Sequence, residues 1–477
     1  MTDKSVAEIL ADISRAGIPV IVWKNIDEIE EGLAGLEDLD LLVPRHDFNR
    51  FRAMAEADGF VEATHRILIY PGVYHFYRYD SALDRTLHFH VFNKLITGES
   101  HIKNYHLPYE RACQVVDSPP NNGLSLPGTL VLADIFLLRY YLKVSCLPGW
   151  LLLRRKNAGL EREWHRIRER GETVGEWQQD IGLEASFRKV LHNAFEGPKG
   201  SLRHIWLGIR LRLRMRDFNR FSLLGNLARR YGQIAYRLAN KIFLKHKKYP
   251  SSGGMFIAIV GSDGMGKSTL TGRIEEWLGS VFETRRVHLG RPPTTFLTFP
   301  YRVARFIAGG AVKRSEGAFG GRKKYGDSVS LLHALHYWMI AYERFQLGRR
   351  IEKQINLNRI VLSDRCPSIS LGVMDSQRIG MDEKNRFIRF LGRTERVFYS
   401  RIPKPDLLIR LKAPEEVVVS RNRRRDKENK ETDKEIRKRY AEYNRIQYES
   451  GKVISLDVSG ELEDVLRELK DQIWSVL

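Results

Sequence analysis

Cysteine is scarce in this chain. Its 477 residues hold three, Cys113, Cys146 and Cys366, odd in number and far apart. That argues against a disulfide framework or a cysteine-rich zinc site and fits a reducing compartment. No run approaches the roughly 18 uncharged apolar residues that a membrane-spanning helix needs. The opening segment MTDKSVAEILADISRAGIPV carries acids and lacks a long apolar centre, so it does not read as a secretory signal. The expectation is a cytoplasmic protein. There is no internal repeat. Acids are also short: 58 Asp and Glu stand against 79 Lys and Arg, a formal net charge of +21. Core material is plentiful. A hydrophobic content of 43% with 10% aromatics is too high for a disordered chain, and the length suits two domains or three.

The excess charge is concentrated. Between Ser201 and Pro250 there are 9 Arg and 4 Lys against Asp217 alone, a net +12. A block of this kind meets acidic partners, whether lipid head groups, nucleic acid or acidic protein. Composition separates three regions. Residues 1–125 read as α+β, with short apolar runs (IPVIVW, LDLLV, LHFHV) between helical stretches such as His46–Asp58. Residues 126–250 read as helical and end in the basic block. Residues 253–477 alternate apolar runs (MFIAIV, IVLSD, DLLIRL, VISLDV) with helices, the pattern of βαβ units on a parallel sheet. A Gly/Lys-rich stretch at 308–327 reads as a loop within the third region.

The densest signal is MFIAIV-GSDGMGKS-TLTGRIEEWL. Gly261, Gly266, Lys267 and Ser268 satisfy GxxxxGK[ST], with a strand pattern before and an amphipathic helix after. Glycines admit positive φ and let backbone N–H groups close on phosphate oxygens. The following helix aims its positive end at them. This predicts a site for ATP and Mg²⁺ formed by Gly261, Ser262, Asp263, Gly264, Met265, Gly266, Lys267, Ser268 and Thr269. Lys267 would reach the β/γ-phosphates and Ser268 would ligate Mg²⁺.

This loop and the residues beyond it resemble the thymidylate kinase family of nucleoside monophosphate kinases. Asp263 falls where that family carries an acid in its loop. HLGRPP (288–293) matches its arginine-containing segment, and AYERFQLGRRIEKQ followed by IVLSDRC resembles its Asp-Arg region. PDLLIRLKAPEEVVVSRNRRR resembles the approach to its arginine-rich lid. Asp364 and Arg365 end an apolar strand, so they lie at the carboxyl edge of a parallel sheet, where such sheets bind ligands. Arg365 suits a phosphate, and Asp364 suits a Mg²⁺-bound water or an acceptor proton; a surface salt bridge is the plainer reading. Arg344 is either a clamp on the acceptor or an ordinary helix arginine. Arg421, Arg423, Arg424 and Arg425 are lid candidates, with Arg421 and Arg425 singled out for catalysis, and Arg291 is a further one. Cys366 and Pro367 stand where the family has an aromatic and then a serine. Asp375 replaces its thymine-side polar set. The acceptor is therefore open: a nucleoside monophosphate, a sugar or a sugar phosphate. Chains of this resemblance occur with bacterial surface-polysaccharide genes, which implies a glycan-related acceptor.

At the N-terminus, GIPVIVWKN and GLEDLDLLV resemble divergent polymerase-β-type nucleotidyltransferases. Asp38 and Asp40, at i and i+2, share one face of a strand and meet the geometry for one Mg²⁺. Lys24 and Asn25 stand at the triphosphate-holding turn. The third carboxylate expected of that family has His88 in its place, with His90 two residues on and Asp80 and Asp84 nearby. Within the basic block, Leu202, Ile205, Ile209 and Leu213 recur at helical spacing beside Trp206. That pattern suits either the inner face of an anionic membrane through 201–248 or a helix packed between domains. No nucleic-acid recognition motif accompanies the charge, and an oligomer is compatible with everything above.

The combined reading is an ATP-dependent phosphotransferase. It has a P-loop parallel sheet with flanking helices at 253–477, an α+β nucleotidyltransferase-like domain and a helical connector. Two rivals remain: a nucleotidyltransferase with a regulatory P-loop domain, and a nucleotide-gated scaffold at a membrane surface.

Overall fold

The structure is a computed structural model. It describes residues 4–99, 102–108, 110–114, 122–145, 157–171, 184–197, 202–290, 292–300, 303, 329–373, 375–423 and 432–477. The chain divides into two compact units, Met1–His246 and Lys247–Leu477.

The first unit opens with α1 (Val6–Arg15). A capping box sets its start: the Ser5 hydroxyl accepts from the Glu8 N–H, and the Glu8 carboxylate accepts from the Ser5 N–H. Five strands of this unit form one sheet: β1 (Ile21–Val22), β2 (Leu39–Leu42), β3 (Val61–Thr64), β4 (Val73–Asp80) and β5 (Arg85–Phe92). Their spatial order is β1-β2-β5-β4-β3, with β2 and β5 parallel and the other pairs antiparallel. Along β5 burial alternates. Leu87, Phe89 and Val91 face the core, so His88 and His90 share the other face. A helix, α2 (Phe48–Ala57), covers the sheet with Phe48, Phe51 and Ala55.

The helical region does not stand apart as a connector. In α3 (Thr129–Val144), 12 of 16 residues are buried, the mark of a central helix. Around it pack α4 (Asn157–Glu169), α5 (Ala185–Phe195) and α6 (Leu202–Arg214). One continuous core runs from Val6 through Trp23, Phe89 and Phe136 to Leu207, Leu211 and Met215. The boundary expected near residue 125 is therefore not a boundary between cores.

In the basic block, α6 buries His204, Leu207, Gly208 and Leu211 against α3, while Leu202, Trp206, Ile209 and Leu213 are exposed. A Cβ on Gly208 would lie 2.5 Å from the Tyr141 carbonyl oxygen. That close approach lets Arg212 reach the Leu142 carbonyl at 3.0 Å and Glu99 at 2.9 Å. Glu99 also takes a two-pronged contact from Arg230 of α7 (Leu223–Ala239), at 2.7 and 2.6 Å. Two arginines of the basic block are thus spent on one buried carboxylate.

In the second unit the alternation seen in the sequence becomes a five-stranded sheet: β6 (Met255–Val260), β7 (Thr284–Val287), β8 (Ile360–Ser363), β9 (Leu407–Lys412) and β10 (Lys452–Asp457). The order is β7-β8-β6-β9-β10 and every pairing is parallel. The central strands are buried on both faces, which is why they read as unbroken apolar runs. Helices α8 (Lys267–Val281), α9 (Leu331–Asn356), α10 (Arg386–Ser400), α11 (Glu415–Arg423), α12 (Asp433–Asn444) and α13 (Leu462–Trp474) complete it. From β6 the chain runs out to the edge strand β7, returns to β8 on one side of β6 and then crosses to β9 on the other. The carboxyl end of β6 is therefore the switch point of the sheet. The stretch 308–327 lies outside the described residues. No described helix is long and apolar enough to cross a membrane.

Replacing Gly208 by valine should lower the stability of the first unit by about 1–3 kcal/mol, because β-branched bulk cannot enter the α3–α6 crossing. Urea unfolding of wild type and Gly208→Val checks it; equal midpoints would contradict the crossing.

Candidate functional site

The loop between β6 and α8 has the backbone the motif calls for. Gly264 and Gly266 have φ of 100° and 78°, and Gly266 immediately precedes the helix. These left-handed conformations strain any other residue. A Cβ on Gly264 would also meet Val418 of α11 at 3.0 Å. The loop residues Gly261, Ser262, Asp263, Gly264, Met265 and Gly266 thus lie at the switch point, and Lys267, Ser268 and Thr269 open α8. Ser268 and Thr269 are exposed, whereas Lys267 is buried. The Lys267 ammonium donates to the Ser262 carbonyl at 2.8 Å and lies 3.4 Å from Asp263.

Asp263 is the hub. Besides Lys267 it meets Arg365 at 3.3 Å and Arg439 at 2.7 Å. Burial pushes its carboxyl up, but the charges of Lys267, Arg365 and Arg439 outweigh that and hold it down at about 2. Arg365 continues to Asp375, 3.3 Å away, and Asp375 accepts in turn from Arg344. Arg344 is buried on α9. Its Nε donates to the Leu289 carbonyl at 2.9 Å, and its Nη1 to the Tyr399 hydroxyl. The structure therefore brings Lys267, Arg365 and Arg344 into one alternating chain of charges with Asp263 and Asp375.

Asp364 lies at the end of β8, 4% exposed, with Arg286 at 3.5 Å and His288 at 3.4 Å. Its Oδ1 is buried without a hydrogen-bond donor, as is the Ser262 hydroxyl. Such atoms are expensive unless a ligand satisfies them. A carboxylate and a hydroxyl beside a phosphate loop also match the oxygen preference of Mg²⁺, which keeps waters and takes few protein ligands. Among the described residues, no group of three His, Cys, Asp or Glu side chains is placed to hold a metal ion.

The lid candidates divide. Arg421 is half-buried on α11, and its charge acts on Asp457 at the end of β10. Arg423 pairs with Asp433. Arg424, Arg425 and Arg291 lie outside the described residues. A second arginine that reaches the loop beside Arg365, Arg439, belongs to none of the motifs. Its signal in the sequence is periodicity: Ile436, Arg439 and Tyr443 are spaced i, i+3, i+7, and the two apolar members are buried. Gly290, inside the segment HLGRPP, has no expected role of its own. A Cβ there would come within 2.8 Å of the Arg365 side chain.

In the first unit, Asp38 and Asp40 each meet a histidine of β5. Asp38 is 60% exposed and pairs with His88 at 2.7 Å. Asp40, 4% exposed, has Lys24 at 2.7 Å, His90 at 2.9 Å and the Asn25 amide at 2.8 Å. Burial opposes ionisation of Asp40, but Lys24 and His90 hold it well below the usual carboxylate range. Burial, with the charge of Lys24, pushes His90 down to about 3, so it is a neutral imidazole at neutral pH. Asn25 sits at φ 54° and is fixed by Glu163, which its N–H meets at 2.6 Å and which also binds Arg139 at 2.7 Å. Asp80 accepts from the Leu83 N–H, and Asp84 accepts from the Tyr79 hydroxyl, so both are occupied in the β4–β5 turn.

No protein-family model matches the chain. Over 233 residues it is 24% identical to the uncharacterized ATP-binding protein YghR of Escherichia coli K12, a match that covers 46% of this chain and 86% of that protein. The same figures hold for YghR of Escherichia coli O6:H1 strain CFT073. Among solved structures, thymidylate kinase from Candida albicans is similar at 15% identity over 47% of this chain and 92% of that one, with a TM-score of 0.27.

Behind Arg344 lies Glu395, 1% exposed, accepting from the backbone N–H groups of Arg378 and Ile379 at 3.1 and 2.9 Å. Burial, the largest influence, raises its carboxyl to about 7 against an ordinary 4.5. Between those values the folded chain holds a proton the unfolded chain has lost. The contribution of Glu395 to stability therefore falls as pH rises from about 4.5 to 7, by about 3 kcal/mol. Thermal unfolding of Glu395→Gln should show a flatter pH dependence than wild type across that window.

Proposed function

We propose that the unit Lys247–Leu477 is a kinase that moves the γ-phosphate of ATP to a small acceptor. The observation that carries this reading is the loop itself. Backbone N–H groups, two left-handed glycines and a buried lysine meet at the switch point of a parallel sheet, beside the unsatisfied oxygens of Ser262 and Asp364. Similarity to a protein named as ATP-binding supports the nucleotide.

In this reading the loop N–H groups and the start of α8 hold the donor phosphates. Lys267 exchanges its contacts with Ser262 and Asp263 for the β/γ-phosphates and spreads their charge during transfer. An acceptor oxygen forms a bond to the γ-phosphorus as the bond to the β–γ bridging oxygen breaks, ADP leaves, and the acceptor proton passes to solvent. Arg365 orients the acceptor. Arg439 and Arg365 keep Asp263 neutralised once Lys267 has moved. Ser268 and Asp364 would hold Mg²⁺, which supplies charge neutralisation at the phosphates. Sugars, sugar phosphates and nucleoside monophosphates are the acceptor classes, and the resemblance to polysaccharide-associated chains favours a glycan-derived one.

Incubation with γ-labelled ATP, Mg²⁺ and a panel of these acceptors tests the reading. Label should move to an acceptor in wild type and in Asp38→Ala, and fall by about 10²-fold or more in Lys267→Ala. Retained transfer in Lys267→Ala would refute it.

A second observation supports a place at an anionic membrane surface. Leu202, Leu224 and Phe243 are 81%, 77% and 79% exposed, amid the unbalanced arginines and lysines of 201–248. Apolar side chains ringed by cations suit an interface of acidic lipids. Vesicles of phosphatidylglycerol should retain the protein at low salt. Reversing Arg210, Arg214 and Arg216 to glutamate should release it; retention would rule the surface out.

A further inference from the structure

Asp375 stands between the two arginines expected to receive the acceptor. Its backbone has φ 60°, unusual for a residue with a side chain. Its two oxygens divide between partners: Oδ1 accepts from Arg344 Nη2, and Oδ2 accepts from Arg365 Nη1 at 3.3 Å. The carboxylate is only 12% exposed. All three guanidinium nitrogens of Arg344 are thereby engaged, by Asp375, Tyr399 and the Leu289 carbonyl. The Nη2 of Arg365 faces Asp263 at 3.3 Å, so this guanidinium lies between two carboxylates.

A phosphate group is recognised by arginines that offer unfilled, forked N–H donors and uncompensated charge. Neither arginine presents an open two-pronged fork here. Arg344 has each nitrogen committed, and Arg365 already bridges Asp375 and Asp263. A phosphomonoester brought to Arg365 would set a dianion beside two acidic side chains, one of which would have to be expelled from a half-buried pair. An alcohol meets the opposite circumstances. Its hydroxyls donate to carboxylate oxygens and accept from the remaining arginine N–H groups, with no charge added.

We propose that the acceptor is an uncharged hydroxyl compound, a nucleoside or a sugar, and that Asp375 is the specificity-determining residue that rejects phosphomonoesters. This rests on the kinase reading above. The step balances as ROH plus ATP giving the phosphomonoester ROPO₃²⁻, ADP and a proton. The O–P bond forms at the hydroxyl oxygen as the β–γ linkage breaks.

The full chain, γ-labelled ATP and Mg²⁺ would be given acceptors in matched pairs: thymidine and its 5′-monophosphate, adenosine and its 5′-monophosphate, glucose and its 6-phosphate, glycerol and its 3-phosphate. Wild type should label the uncharged member of a pair at least about tenfold faster, a difference of about 1.4 kcal/mol. Asp375→Asn and Asp375→Ser should each shift that ratio at least about tenfold toward the phosphorylated member. Unchanged ATP binding and melting would show that both variants fold. Faster labelling of the monophosphates by wild type would overturn the acceptor class and leave the kinase reading standing. A ratio unmoved in both variants would remove Asp375 from its role. No label on any acceptor, with ATP hydrolysis equal in wild type and Lys267→Ala, would bring down the kinase reading and this inference with it.

Discussion

Charge that leaves water must be matched, and that requirement organises the ligand-facing edge of the second unit. From Arg344 through Asp375, Arg365 and Asp263 the sign alternates, and Lys267 and Arg439 both close on the last carboxylate. Each group alone would cost several kcal/mol to bury, so none can shift without a partner shifting too. The loop after β6 is one end of this series and the buried Arg344 of α9 the other. Lys267 and Asp375 are thus linked by consecutive contacts of 3.3–3.4 Å.

The same rule yields a different result in the first unit. Asp38 and Asp40 have different surroundings, the first exposed and the second buried. Here β5 lies parallel to β2, with His90 opposite Asp40 in register. That pairing, with Lys24 and Asn25, sets three protein groups against the Asp40 carboxylate. The carboxylate serves to hold a lysine and a neutral imidazole in place. Lys24 in turn rests over the rings of Trp23 and Phe92, where its stem is dry and its charge is partly met.

Much of the second unit is legible in its residues alone. The runs MFIAIV, IVLSD and DLLIRL become β6, β8 and β9, because a strand buried on both faces must be apolar throughout, and VISLDV becomes the more exposed edge strand β10. The loop is legible because its requirements are local: glycine where φ is positive, and lysine and serine at the first helical turn. Arg439 is not, since its role depends on α12 returning to the switch point from residues far along the chain. The basic helix is half legible. Its amphipathic spacing is evident, but the repeat Leu202–Ile209–Leu213 marks the outward face. Leu207, Gly208 and Leu211 face α3 instead, because a glycine permits the closest approach of two backbones.

By itself, then, the sequence determined the elements and the phosphate loop, since secondary structure and a glycine-lined turn are written in short-range pattern. It also determined that the basic charge gathers in one stretch. Tertiary structure alone decided which charges meet. Whether Asp375 would compensate two arginines, whether Asp40 would be free for a cation, and which arginine would reach Asp263 depend on side chains brought together from distant positions. Electrostatic energy falls with distance in space and is indifferent to separation along the chain.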